Sequence, residues 1–313
     1  MGVLGDLIDH LFVGKPKWTV EQIPDLSEKV IIVTGGNTGI GKETIRALLN
    51  RNAKVYMASR TEERARAAIA DLKADTGKEA LFLHLDLANL ASVRKAAAEF
   101  LSQERELHVL FNNAGVMWPS VSLVTDDGYD LQFGTNVIGH FLFTQLLMPV
   151  LLSTAQASPD RQARIITTSS IGGYLGHLDY DTFKDSAKRR SCFRHTLYAQ
   201  SKYGNVVVAR EIARRYADKG IVSISLHPGT INSELPRYMP GYSVLGKLAP
   251  LLLHDSAHGA LTQLFVGTTP DAAEYNGKYF VPWARLGNPH PTTQDPEVAQ
   301  RLWAWLEKEV SSK

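Results

Sequence analysis

Tyr198 and Lys202 stand four positions apart in Tyr198-Ala199-Gln200-Ser201-Lys202, a spacing that puts a phenol and an amine on one face of a helix. A phenol with a reference pKa of about 10 is a poor base at neutral pH, but an adjacent ammonium favours its ionised form. Lowering that pKa by about 3 units takes roughly 4 kcal/mol of differential stabilisation. The chemistry open to such a pair is proton exchange with a substrate oxygen. Taken alone, a Tyr and a Lys at this spacing are usually structural, so the pair needs support from elsewhere in the chain.

A second constellation supplies it. Val30, Ile31, Ile32 and Val33 read as a strand buried on both faces, followed by Thr34-Gly35-Gly36-Asn37-Thr38-Gly39-Ile40-Gly41 and then a helical pattern through Ile45, Leu48 and Leu49. Glycines let the backbone turn sharply against a ligand, and the helix points unpaired N–H groups at a pyrophosphate. The expected ligand is a dinucleotide. Gly36 to Lys42 also fits a P-loop, but Glu43 follows where magnesium binding needs Ser or Thr. The second strand, Lys54 to Ala58, decides between cofactors. Where a carboxylate would bind an adenosine ribose 2′-hydroxyl, the chain has Ser59 and Arg60, with Arg64 one helical turn on. A hydroxyl and a guanidinium fork accept a 2′-phosphate, so NADP(H) is favoured over NAD(H).

These groups must be carried by alternating strands and helices. Strands are expected near 29–34, 53–58, 80–85, 107–111, 163–168, 221–226 and 278–281, with amphipathic helical stretches between most of them. The fold class is therefore α/β: a single-domain, Rossmann-type, doubly wound parallel sheet of about seven strands with helices on both faces. Residues 28–313 form the catalytic domain, after an N-terminal extension, 1–27, whose Leu4, Leu7, Ile8, Leu11 and Phe12 make an amphipathic stripe. Docking of that stripe on the protein itself is favoured over membrane contact.

The 313 residues carry 34 basic and 32 acidic side chains for a net charge of +2, with 44% apolar residues. That balance leaves no electrostatic footprint for nucleic acid. A single cysteine, Cys192, excludes an internal disulfide framework and fits a reducing compartment. The start lacks a secretory pattern, and no apolar run reaches the length of a spanning helix, so a soluble, cytoplasmic protein is expected. Homo-oligomerisation is compatible with the sequence.

Two segments break the rhythm. Residues 171–196 carry Lys188, Arg189, Arg190 and Arg194 amid polar groups and read as a solvated excursion. Residues 235–253, from Leu235-Pro236 to Leu251-Leu252-Leu253, mix prolines and glycines with large apolar groups and read as a substrate-covering flap. Trp118, Tyr174 and Leu235 are the expected apolar substrate contacts. His254 and His258 invite a metal reading, but Asp255 replaces the glutamate of H-E-x-x-H and no third ligand is apparent, so no metal is expected. A serine hydrolase is disfavoured because no G-x-S-x-G occurs.

The motifs occur in a fixed order: T-G-x-x-x-G-x-G, Asp86 after the third strand, Asn112-Asn113-Ala114-Gly115 after the fourth, Ser169-Ser170 after the fifth, Y-x-x-x-K, and Pro228-Gly229 after the sixth. From about 28 to 285 the chain resembles the short-chain dehydrogenase/reductase family. The resemblance implies that Gly35, Gly39 and Gly41, with Asn37, Thr38 and Ile40 between them, form the phosphate turn, and that Asp86 and Leu87 line the adenine pocket. Asn113, Ala114 and Gly115 would steady the sheet beside the cofactor, and Pro228, Gly229 and Ser233 would lie near its carboxamide. Tyr198 matches the general acid or base and Lys202 the residue that binds the nicotinamide ribose and lowers the tyrosine pKa. Ser170, followed by Ile171-Gly172-Gly173, matches the substrate-orienting serine, and Asn136 the helical asparagine that holds a water in the proton relay. Ser170 and Tyr198 are 28 positions apart, about twice the usual gap, which is similar to the retinol dehydrogenase-like and WW-domain oxidoreductase-like branch. The implied activity is hydride transfer between NADP(H) and an apolar aldehyde, ketone or secondary alcohol. The alternative is an NADP(H)-binding sensor or scaffold with weak catalysis.

Overall fold

Apolar runs with no polar alternation can be satisfied only inside a sheet covered on both sides, and such runs make the centre of this molecule. The structure, a computed structural model, describes residues 10, 13–232 and 253–311. Its strands are β1 (Val30–Thr34), β2 (Lys54–Ser59), β3 (Leu81–His84), β4 (Val109–Asn112), β5 (Ala163–Thr168), β6 (Ile221–Leu226), β7 (Tyr279–Val281) and β8 (Arg285–Gly287). β1, β4, β5 and β6 are buried along their whole length. The order across the sheet is β3-β2-β1-β4-β5-β6-β7-β8, parallel throughout except for the last pair. The sequence pattern anticipates seven of these strands. The eighth escapes it because three residues ending in a glycine show no periodicity, and β8 exists by pairing with β7.

Helices cover both faces. On one lie α1 (Gly39–Asn50), α2 (Glu62–Thr76) and, much later in the chain, α6 (Ser256–Thr268), whose Leu48, Leu72 and Leu264 share a core with Ile31 and Val33. On the other lie α3 (Leu90–Gln103), the helical run α4 (Leu131–Ala157), α5 (Arg194–Tyr216) and α7 (Pro296–Ser311), packed around Ile32, Leu110 and Ile165. The chain leaves β3 on one side of β1 and enters β4 on the other. This reversal opens a crevice at the carboxyl ends of β1 and β4, the place where ligands bind in such sheets.

Three expectations meet the structure differently. First, α4 is long and apolar enough to cross a membrane by length and composition, contrary to the sequence reading, but 72% of its most apolar window is buried inside the protein. It is a core helix here. Second, the insert after β5 is not a solvated excursion throughout: Arg189 is fully buried, 3.2 Å from Asp130 and 2.7 Å from Asp185. A guanidinium held by two carboxylates tolerates burial where a lone cation would not. Phe183, from the same insert, stacks on Phe133 of α4 with 3.8 Å between ring centres. Third, the residues preceding β1 are bound to the domain, since Trp18, Ile23 and Leu26 join its core. His10 is buried against Tyr174 and His227. Leu4, Leu7, Ile8, Leu11 and Phe12 lie outside the described residues, as does the flap apart from Leu253.

Candidate active site

The glycine turn is formed by close backbone approach. Gly35 takes φ +68°, in the left-handed region that favours glycine, and its N–H donates to the Ala58 carbonyl at 2.8 Å. A Cβ on Gly41 would lie 2.4 Å from the Gly35 carbonyl oxygen and 2.7 Å from Asn113 Nδ2, so only glycine lets α1 begin this close to the strand. Thr38, at the N-cap of α1, makes no side-chain cap. The first-turn N–H groups are thus left without the usual intramolecular acceptor, and they face the turn with the positive end of the helix dipole. Asn37, Thr38 and Ile40 are half-buried around them. The residues present therefore fit a dinucleotide pyrophosphate.

The neighbouring strand end is tied to this turn. Thr34 Oγ1 lies 3.0 Å from the Asn113 nitrogen and 2.9 Å from that of Ala114, while Asn113 Nδ2 donates to the Thr34 carbonyl at 2.8 Å. Ala114 in turn fills the space beside Gly35. At the other end of the crevice, Ser59 closes β2 with its hydroxyl buried and without a hydrogen-bond partner, the kind of orphaned donor a phosphate oxygen would satisfy. Arg60 and Arg64 are exposed nearby. Asp86 follows β3, where its carboxylate accepts from the Ala88 N–H at 2.9 Å, and the next residue, Leu87, backs directly onto Gly139 of α4.

The reactive groups come from β5 and α5. Tyr198 and Lys202 are both buried on α5. Ser170, at the end of the β5 loop, hydrogen-bonds the Tyr198 hydroxyl and accepts from the Gly172 N–H at 3.1 Å. Its neighbour Ser169 faces the other way, donating to the Lys202 carbonyl at 2.6 Å. Lys202 Nζ donates to the Thr168 carbonyl at 2.9 Å. Burial pushes the Tyr198 phenol up to about 12, opposed by the Ser170 hydrogen bond, and pulls the Lys202 ammonium down to about 8. The sequence reading gives Lys202 the task of lowering the tyrosine pKa together with a cationic nicotinamide ring; among the protein's own groups, burial is the largest influence on both. The amine is turned to a backbone carbonyl, and desolvation governs both groups. With the protein's own groups alone, the Tyr198 phenol keeps its proton at neutral pH.

Asn136 lies in a π-helical stretch, Gly134–Gly139, within α4. Its side chain makes three bonds: Oδ1 accepts from the Val116 N–H at 2.8 Å, and Nδ2 donates to the Val116 carbonyl at 3.1 Å and to Ser201 Oγ at 2.9 Å. The amide pins the loop after β4 to α5. Gly115 sits between the two, since a Cβ there would be 3.3 Å from Asn136 Oδ1 and 3.4 Å from Lys202 Nζ. Pro228 and Gly229 follow β6, with the Gly229 N–H 3.2 Å from His227 Nδ1.

Of the expected substrate residues, Trp118 takes left-handed backbone at φ +56° and sets its ring 6.4 Å from that of Tyr198. Tyr174 is buried with its ring against those of His10 and His290. Ser233 and Leu235 lie outside the described residues. The described residues on either side of that segment are joined to each other: the Asn232 N–H donates to the His254 carbonyl at 2.8 Å, and the His254 N–H donates to that of Thr230 at 3.0 Å. Asp255 caps α6 and pairs with His258 at 2.9 Å. Sequence reasoning missed His195, whose ring lies 4.3 Å from Trp118, although its position three residues before Tyr198 puts it on the same helix face. It also missed His140, four residues after Asn136.

Similarity to known proteins agrees with this geometry. The family described as short chain dehydrogenase matches residues 29–183. A short-chain dehydrogenase/reductase of Armillaria gallica is 55% identical over 307 residues, covering 98% of each chain. Human retinol dehydrogenase 12 is 36% identical over 297 residues, covering 95% of this chain and 90% of its own. An uncharacterised protein from Mycobacterium paratuberculosis superposes with a TM-score of 0.73 at 27% identity, covering 94% of this chain and 97% of that one.

Proposed function

Because the chain belongs to the short-chain dehydrogenase/reductase family, in its retinol dehydrogenase-like branch, we propose that it is an NADP(H)-dependent oxidoreductase acting on an apolar aldehyde, ketone or secondary alcohol. One observation carries the reading: the Ser170 hydroxyl meets the Tyr198 phenol at the carboxyl end of β5, with Lys202 buried beside them and the glycine turn across the crevice.

A bound nicotinamide supplies or accepts the hydride. Gly35, Asn37 to Gly41, Asp86 and Asn113 to Gly115 would hold the dinucleotide, and Ser59, Arg60 and Arg64 the 2′-phosphate. Ser170 and Tyr198 hydrogen-bond a substrate oxygen, so negative charge developing there meets donors already in place. Tyr198 donates the proton during reduction, and Lys202, buried one helical turn along α5, is a group able to replace it. By microscopic reversibility the same phenol takes the proton back during oxidation. Trp118 and His195 offer ring surface to an apolar substrate. The lone Cys192 fits a reducing compartment, and we place the enzyme in the cytoplasm.

The test is NADPH oxidation against a panel of apolar aldehydes and ketones. Tyr198→Phe should lower kcat by at least about a thousandfold while NADPH binding is retained. Turnover that survives this substitution removes the assignment. Tight NADPH binding with no turnover by the wild-type chain would instead make it a nucleotide-binding sensor.

A further inference from the structure

His140 is buried in α4, one turn beyond Asn136, and both ring nitrogens are engaged. Nδ1 lies 3.1 Å from the Asn136 carbonyl oxygen and Nε2 lies 2.9 Å from Thr34 Oγ1. A carbonyl oxygen can only accept, so Nδ1 carries a proton. Burial, helped by the charge on Lys202, pushes the ring down to about 3, so a second proton is absent at neutral pH. Nε2 is therefore bare and accepts the Thr34 hydroxyl proton, for which the Phe111 carbonyl at 3.2 Å is a longer alternative. Thr34 Oγ1 itself receives the Asn113 and Ala114 N–H groups. One hydrogen-bonded chain thus runs from Asn113 and Ala114 through Thr34 and His140 to the Asn136 carbonyl.

Its two ends belong to different parts of the crevice. Thr34 immediately precedes the glycine turn, whereas Asn136 holds Val116 and Ser201 beside Lys202. The His140 backbone N–H donates to the Val137 carbonyl, so the contact with Asn136 is made by the ring. We propose that His140 is a positioning residue, in its Nδ1–H tautomer, that fixes the Asn136 carbonyl relative to the nucleotide turn and so keeps the proton-delivery side in register with the cofactor side. This deepens the oxidoreductase reading and rests on it. His140 touches neither substrate nor cofactor.

Asparagine and glutamine separate the two bonds, because an Asn amide nitrogen reaches about where Nδ1 lies and a Gln amide about where Nε2 lies. His140→Asn should keep kcat near the wild-type value but weaken NADPH binding about threefold. His140→Gln should do the reverse, with NADPH binding unchanged, kcat lower by about tenfold and a larger solvent deuterium isotope effect on kcat. Equal losses in the two variants, or a His140→Gln variant with wild-type kcat, would overturn the proposal. The tautomer is read independently by 15N NMR of the imidazole in nucleotide-free wild-type protein, which requires no variant to fold. A proton on Nε2, or a ring that titrates between pH 5 and 9, also overturns it. Tautomer and nucleotide affinity are measured without turnover. A wild-type chain that reduces no carbonyl would therefore defeat the oxidoreductase reading, while these two measurements still decide the linkage.

Discussion

Arg189 and Lys202 are both buried cations, and they are treated in opposite ways. Arg189, in the insert after β5, is fully enclosed and meets two carboxylates, Asp130 and Asp185. Asp130 also caps the start of α4 through the Gln132 and Phe133 N–H groups. Lys202, only 3% exposed on α5, donates to the Thr168 carbonyl, and no carboxylate pairs with it among the described residues. Its ammonium is held by a dipole alone, so desolvation brings its pKa down to about 8. A paired charge fixes geometry and keeps its proton. An unpaired one is costly to bury, but its proton can move near neutral pH. The insert is thus built to hold, and the α5 face is the one we propose to react.

The sharpest way to break that contrast is Arg189→Met. Removing one partner leaves Asp130 buried without its counter-charge, which should cost about 3–5 kcal/mol of stability. Urea unfolding measures the loss, and kcat per folded molecule should stay at the wild-type value. A loss below about 1 kcal/mol would mean that the ion pair is replaceable by simple packing, leaving no contrast between the two cations.

The second test uses pH. Lys202 has a folded pKa near 8 against an unfolded value of about 10.4, so between these values the unfolded chain binds more protons. The burial penalty is therefore fully present below about pH 8 and is relieved as pH rises through about 10.4. Its size is about 3 kcal/mol at neutral pH. Wild-type stability minus that of Lys202→Met should accordingly rise by this amount from pH 7 to 10.5. Tyr198, whose folded pKa is raised, acts in the opposite sense above pH 10, but it is common to both proteins and cancels in the difference. A flat difference would show that the amine is hydrated in solution.

What could be read from the sequence is what local pattern encodes. The Tyr198–Lys202 spacing, the glycine turn and seven strands follow from periodicity and from the φ values that only glycine takes easily. The family resemblance rests on the same motifs taken in order and its retinol dehydrogenase-like branch on the long gap between Ser170 and Tyr198, and the similarity to known relatives agrees with both. Side-chain direction was not legible. Arg189 reads as one more cation in a basic cluster until Asp130, far away in the chain, is brought beside it. Lys202 reads as the partner of Tyr198, and its bond to the Thr168 carbonyl is not visible until the fold is built. Asn136 and His140 are both visible in the sequence, yet their partners Val116, Ser201 and Thr34 come from other elements. Those pairings are decided by packing.

A third cation completes the comparison with the smallest expected effect. Arg60 is exposed at the end of β2, next to the buried, unpartnered hydroxyl of Ser59. Water screens an exposed charge, so its contribution to holding a 2′-phosphate should be well below that of either buried cation. Arg60→Ala should lower the preference for NADPH over NADH, measured as the ratio of kcat/KM values, by about tenfold, or about 1.4 kcal/mol. The loss should fall on KM, because the phosphate lies far from the reacting carbon and binds alike in ground and transition states. Because the contact is exposed, the wild-type KM for NADPH should also rise with salt, and that dependence should flatten in the variant. A ratio that is unchanged by the substitution would show that Arg60 is an ordinary surface arginine and that cofactor choice rests on other groups.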